Sequence, residues 1–150
     1  MTPLSFLPVA QALAAMSRDP STQVGAVLLD ADFNILGTGY NGFPRGVHDL
    51  PARYNDRALK LGLIAHAEAN AIAQAARVGS KLLSSTLLVT ALHPCNDCAK
   101  LIVQAGIKHV YAPEGDNERW ADSTRIAALI LDEGGVTITR YDAHGHAHPA

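Results

Sequence analysis

Hydrophobic positions along the chain switch between two periods, and the switches mark its elements. Residues 4–18, LSFLPVAQALAAMSR, carry apolar side chains at helical spacing, with Thr2 and Pro3 as start signals. Two dense apolar runs follow, QVGAVLLD (23–30) and NILGTGY (34–40), joined at Asp30-Ala31-Asp32-Phe33. Short apolar runs bounded by turn residues predict an antiparallel hairpin. Periodicity then lapses over residues 41–60, NGFPRGVHDLPARYNDRALK, where Gly and Pro crowd the start. That stretch predicts a long surface loop with room for a short helix, and loops of such length in compact domains are usually functional.

From HAEANAIAQAARVG (66–79) onward the signal sharpens. This Ala-rich run predicts a helix closed by Gly79. A strand (TLLVTAL, 86–92), a helix (CNDCAKLIVQAG, 95–106), a strand (IKHVYA, 107–112), a helix (ERWADSTRIAALILDEGG, 118–135) and a strand (VTITR, 136–140) follow. Strand and helix alternating in this way imply right-handed crossovers and parallel pairing. With the hairpin, the expectation is an α/β fold: a mixed five-stranded sheet with helices on both faces. One domain is predicted over 1–140. The tail YDAHGHAHPA (141–150) differs in kind and is expected to be mobile.

Composition narrows the partners. Apolar residues make up 48% of the 150 positions and charged residues 17%, which suits a packed interior and excludes a disordered chain. The net charge of −2, with no block of Lys or Arg, gives a nucleic acid polymer little general attraction, while one small phosphate ester could still be held locally. No apolar stretch approaches membrane-spanning length. The start of the chain has no basic segment and carries Pro3 and Pro8, which argues against a secretory signal and for the cytoplasm.

The chain has two cysteines, and both lie in HPCNDC (93–98). Cys95 and Cys98 stand at i and i+3, on one face of a helix entered through Pro94. The positive end of that helix favours thiolates, the form that binds metal. Two thiolates do not complete a zinc site. His66, in HAE at 66–68, is the best third ligand, at the start of the other Ala-rich helix. Two helix N-termini meeting at one point would give His66, Cys95 and Cys98 as ligands and leave one tetrahedral position open, the mark of a catalytic zinc. Glu68 is then free to move protons. An isolated CxxC also fits a redox pair or half of a structural zinc knuckle, but neither accounts for HAE on a separate helix. H-x-E followed by P-C-x-x-C is the signature of zinc-dependent nucleobase deaminases.

SRDPSTQVGAVLLD (17–30), GTGYNGFPRGV (37–47), HAEANAI (66–72) and HPCNDCAKLIVQAGIKHVYA (93–112) together resemble the deoxycytidylate (dCMP) deaminase family. The resemblance implies a cytidine-deaminase-like three-layer α/β/α sandwich and hydrolysis of dCMP to dUMP and ammonia, which feeds thymidylate synthesis. It also implies zinc on His66, Cys95 and Cys98, with Glu68 as proton shuttle. Asn41 in GYNG falls where related deaminases hold the sugar or frame the base. Arg18, Ser21 and Arg77 are candidates for the 5′-phosphate, and Asn70 for a group bracing the site. Some family members carry a second, structural zinc; without a spare cysteine, this chain is expected to hold a single ion. Many are homohexamers that respond to dCTP and dTTP, so a homo-oligomer with those effectors is the implied assembly. Two other readings stay open: a deaminase of a different base (a nucleoside, free base, tRNA adenosine or riboflavin precursor), and a non-catalytic zinc-stabilised nucleotide-binding module.

Overall fold

The computed structural model describes residues 1–115 and 117–148; Asp116 and residues 149–150, the end of the expected tail, lie outside the described residues. A short 3-10 turn, Pro3–Phe6, leads into α1 (Leu7–Ala14), with β1 (Gly25–Leu29) and β2 (Ile35–Tyr40) after it. Next come α2 (Pro51–Asn55), α3 (Arg57–Leu63), α4 (Ala67–Val78), β3 (Thr86–Val89), α5 (Asn96–Gln104) and β4 (His109–Pro113). A second 3-10 turn, Glu118–Trp120, opens α6 (Ala121–Glu133), and β5 (Thr137–Tyr141) and β6 (Ala147–His148) finish the described chain. The strands form one sheet in the order β2-β1-β3-β4-β5-β6. β1 pairs antiparallel with β2 and β3, whereas β3, β4 and β5 run parallel.

The hairpin forms where the sequence places it. Asp30 Oδ1 accepts the N–H groups of Asp32 and Asn34, and Phe33 takes a left-handed φ of 64°, so a carboxylate ties the turn that carries the chain from β1 to β2. β1, GAVLL, is buried along its whole length because both sheet faces are covered there. Ala26, Leu28, Leu87, Val89, Val110 and Ala112 face α4, α5 and α6, while Val27, Leu29 and Leu88 face α1.

Two features depart from expectation. The sheet has six strands, not five, because β6 pairs antiparallel with β5 through Arg140↔His148 and Tyr141↔Ala147. Residues 141–148 are therefore folded onto the sheet, which corrects the expected free tail. Tyr141 is buried and its hydroxyl donates to the Val89 carbonyl at 2.6 Å, while Asp142 accepts two backbone N–H groups of the turn that follows. Residues 41–60, expected as a loop with room for a short helix, carry two: α2 and the start of α3. Pro51 sits in the first turn of α2, and Asp56 caps α3 by accepting the Leu59 N–H.

α4 is seated on bare backbone. A Cβ added at Gly39 would lie 2.3 Å from the Ala67 carbonyl oxygen, and one at Gly37 would lie 2.7 Å from that of Ala71. Those two glycines of β2, facing the buried Ala67, Ala71 and Ala75, let helix and sheet approach more closely than side chains would allow. This seat fixes where the first turn of α4 begins.

Candidate metal centre and active site

Two helices start at the same place. His66 is the N-cap of α4 and Cys95 the N-cap of α5, with Cys98 in the first turn of α5. The Cys95 Sγ accepts the Cys98 N–H at 3.4 Å, so the sulfur already occupies a cap position rich in positive dipole. His66 Nδ1 lies 3.3 Å from the Cys95 Sγ and 3.5 Å from the Cys98 Sγ, and the three donor atoms lie within 4.8 Å of one another. A tetrahedral ion with bonds of about 2.3 Å to sulfur and about 2.05 Å to nitrogen separates those atoms by about 3.6 Å. The chain thus presents a zinc-shaped set of three donors.

His66 is itself held from behind. Gly42 and Ala65 exchange backbone hydrogen bonds of 3.1 and 2.8 Å, clasping the end of the GYNG segment to the residue before His66. Asn70, one turn further along, donates its side-chain amide to the carbonyls of Tyr40 at 2.8 Å and Ala65 at 3.3 Å. Those two bonds tie the first turn of α4 to the end of β2 and to the residue before His66.

Electrostatics follow the geometry. Hydrogen bonding with Cys98, and then with His66, pulls the Cys95 thiol down to about 4 in spite of burial. The Cys98 thiol is pushed up by that same bond to Cys95 and by burial. The hydrogen bond to Cys95 raises His66. Glu68 is 4% exposed, and burial pushes its carboxyl above the usual range; its Oε2 lies 3.8 Å from the Cys98 Sγ. A buried carboxyl beside the donors, its affinity for protons raised by that burial, is equipped for acid and base work.

The centre opens into a cleft of about 740 Å³ at the carboxyl ends of β3 and β4, where open α/β sheets place their ligands. Its floor includes His66, Glu68 and Cys95; one wall includes Ser21, Asn41, Arg57 and Lys60, and Arg119 and Trp120 contribute to the rest. Asn41 is buried with its amide committed: Oδ1 accepts the Val24 N–H at 2.8 Å, and Nδ2 donates to the Thr22 carbonyl at 2.8 Å. It shapes the wall by tying residues 22–24 to the end of β2.

The expected phosphate arginines are not brought together. Arg18 has a 73% exposed side chain turned to Asp49, with Nε to Oδ2 at 3.6 Å, and does not line the cleft. Arg77 sits in the last turn of α4, eleven residues from His66 and so about 16 Å along the helix. Sequence reasoning missed Arg57, Lys60 and Arg119, which do line it. The available signal was Asp56 as a helix cap, which puts Arg57 and Lys60 three apart on one face.

Comparison with known proteins agrees with this arrangement. Residues 2–114 match the family described as the cytidine and deoxycytidylate deaminase zinc-binding region. The chain belongs to that deaminase family. The deoxycytidylate deaminase of Homo sapiens is 40% identical over 144 residues, covering 93% of this chain and 79% of that protein. The deoxycytidylate deaminase of Enterobacteria phage T4 is 31% identical over 167 residues, covering 83% and 86%. The dCMP deaminase of cyanophage S-TIM5, solved in complex with dCMP and dUMP, superposes with a TM-score of 0.71 at 27% identity over 93% of this chain and 98% of that one. The cytidine-deaminase-like α/β fold expected from the motifs is therefore present, with the extra edge strand, and the family is one of zinc-binding hydrolytic deaminases.

Proposed function

We propose that this chain hydrolyses dCMP to dUMP and ammonia, using one zinc ion held by His66, Cys95 and Cys98. The observation that carries the reading is a buried Glu68 set beside a zinc-shaped donor trio on the floor of a nucleotide-sized cleft. Held by these three residues, zinc would supply Lewis acidity, which in favourable sites brings the pKa of water down to about 7. Glu68 does the proton work. It takes one proton from the attacking water as the water oxygen bonds to C4 and delivers it to the adjoining ring nitrogen. It then takes the second proton from the new C4 hydroxyl and gives it to the amine, which leaves as ammonia when the C4–N bond breaks. Its raised affinity for protons suits it to both halves of that exchange. Asn70 and the Gly42–Ala65 bridge keep His66 in place while this happens.

Turnover is tested by loss of cytosine absorbance with purified protein and dCMP. Glu68→Gln is expected to keep zinc and fold while activity falls by about 10²–10⁴. A folded, zinc-loaded wild type that leaves dCMP, deoxycytidine and free cytosine unchanged overturns the reading. The same reading carries self-assembly and response to dCTP and dTTP. Leu101 on α5 and Ile126 and Leu129 on α6 stay exposed in the single chain, as residues awaiting a partner copy would. Sedimentation with and without each nucleotide tests both. The two free thiols fit a reducing cytoplasm, and among the described residues no helix is long and apolar enough to cross a membrane.

A further inference from the structure

α3 presents two cations to the cleft, Arg57 and Lys60. The Lys60 side chain is only 14% exposed, and its Nζ lies 2.8 Å from Asp19 Oδ1. Asp19 is itself fixed: Oδ1 also accepts the N–H groups of Ser21 at 2.8 Å and Thr22 at 3.3 Å, and Oδ2 accepts Asn41 Nδ2 at 3.4 Å. A locked carboxylate locks the ammonium paired with it. An ammonium has three donors. Lys60 spends one on Asp19 and finds no second partner among the described residues. A lysine present only to neutralise Asp19 would keep its head in water, as long cationic side chains do on surfaces. This one is largely buried, and its two remaining N–H bonds are left for a group entering the cleft that Lys60 lines.

We propose that Lys60 is the residue that recognises the phosphate of a nucleoside monophosphate in this cleft, with Arg57 closing on the same phosphate from the rim. The assignment rests on the deaminase reading above and says which side chains make the substrate a nucleotide and not a nucleoside. Arg57 enters no ion pair among the described residues. Ser21 and Thr22 line the same wall, and their backbone N–H groups are used by Asp19, so their hydroxyls remain for the anion. Asp19 works through Lys60: it aims the ammonium and, through Asn41, ties that aim to the wall beside it.

The test compares kcat/KM for dCMP and for deoxycytidine, which differ only in the phosphate, in wild type, Lys60→Met, Arg57→Ala and Arg119→Ala. Lys60→Met is expected to lower the dCMP-to-deoxycytidine ratio about 10- to 100-fold, the range for a lost hydrogen bond between charged groups. Arg57→Ala lowers it less, and inorganic phosphate no longer competes with deoxycytidine in the Lys60 variant. If Lys60→Met does not fold, Lys60→Gln, whose amide can still donate to Asp19, carries the same comparison. Equal losses for both substrates mean a purely structural role through Asp19 and overturn the assignment, as does a ratio that moves in Arg119→Ala but not in the Lys60 variants. A wild type inactive on both compounds refutes the deaminase reading itself; a wild type active on dCMP with an unmoved ratio refutes Lys60 alone.

Discussion

Gly39→Ala tests whether the seat of α4 controls the chemistry. The added Cβ would sit 2.3 Å from the Ala67 carbonyl oxygen and 2.5 Å from the Ala71 nitrogen, both helix backbone with no flexible end to yield. Restoring ordinary contact at 3.4 Å requires β2 and α4 to part by about 1 Å (3.4 − 2.3). Overpacking of this kind costs about 1–3 kcal/mol, and for a domain of this size each kcal/mol lowers Tm by about 2–4 °C. The larger effect falls on the site. Ala67 adjoins His66 and Glu68, so the shift moves a donor of the trio and the proposed proton carrier relative to the two sulfurs on α5, and a misplacement of about 1 Å can cost 10²-fold in rate. Thermal melting, zinc content per chain and turnover of dCMP, measured on one preparation, separate the two effects. Gly62→Ala is the control: it lies within α3 with no atom near an added Cβ, and should be neutral or slightly stabilising. Gly39→Ala with full zinc and a rate within about threefold of wild type would refute the idea that this contact sets the geometry.

Two further outcomes follow from other parts of the molecule. Cys98→Ser removes a donor, so zinc content should collapse and the melting temperature should fall and stop responding to chelator, whereas the wild type responds strongly. Tyr141→Phe deletes the 2.6 Å bond to the Val89 carbonyl and should cost about 1–3 kcal/mol by urea denaturation, because a buried acceptor is left unpaired. The phenol also has a pH signature. Burial pushes Tyr141 up to about 12, against about 10 in the unfolded chain, so the unfolded state ionises first and wild-type stability should decline between those values. The Phe variant lacks that component of the decline; an identical alkaline profile would refute it.

What could be read in the sequence was what local chemistry announces. His66, Cys95 and Cys98 stand at helix starts, and their spacing relative to Pro94 and Glu68 already specifies a donor set, so the structure had only to bring two helix ends together. The hairpin was legible because Asp30 and its neighbours carry their own turn chemistry. α2 and α3 were not, since helices of five and seven residues are too short to establish a period, and their polar residues serve the cleft and each other instead of a core. Lys60 was invisible for a related reason: its meaning depends on Asp19, forty-one positions earlier, and no local pattern links them. β6 escaped notice because two exposed residues at a sheet edge leave no apolar alternation to detect.

The stiff sheet with its close-seated helix, and the short helical pieces that border the opening, divide the labour of this enzyme between parts that can change at different rates. The donor trio is anchored where a single methyl group is unwelcome, whereas Arg57 and Lys60 reach the cleft from a helix of barely two turns. Substitutions within residues 51–63 therefore reach the opening of the cleft while leaving the contact of β2 with α4 untouched.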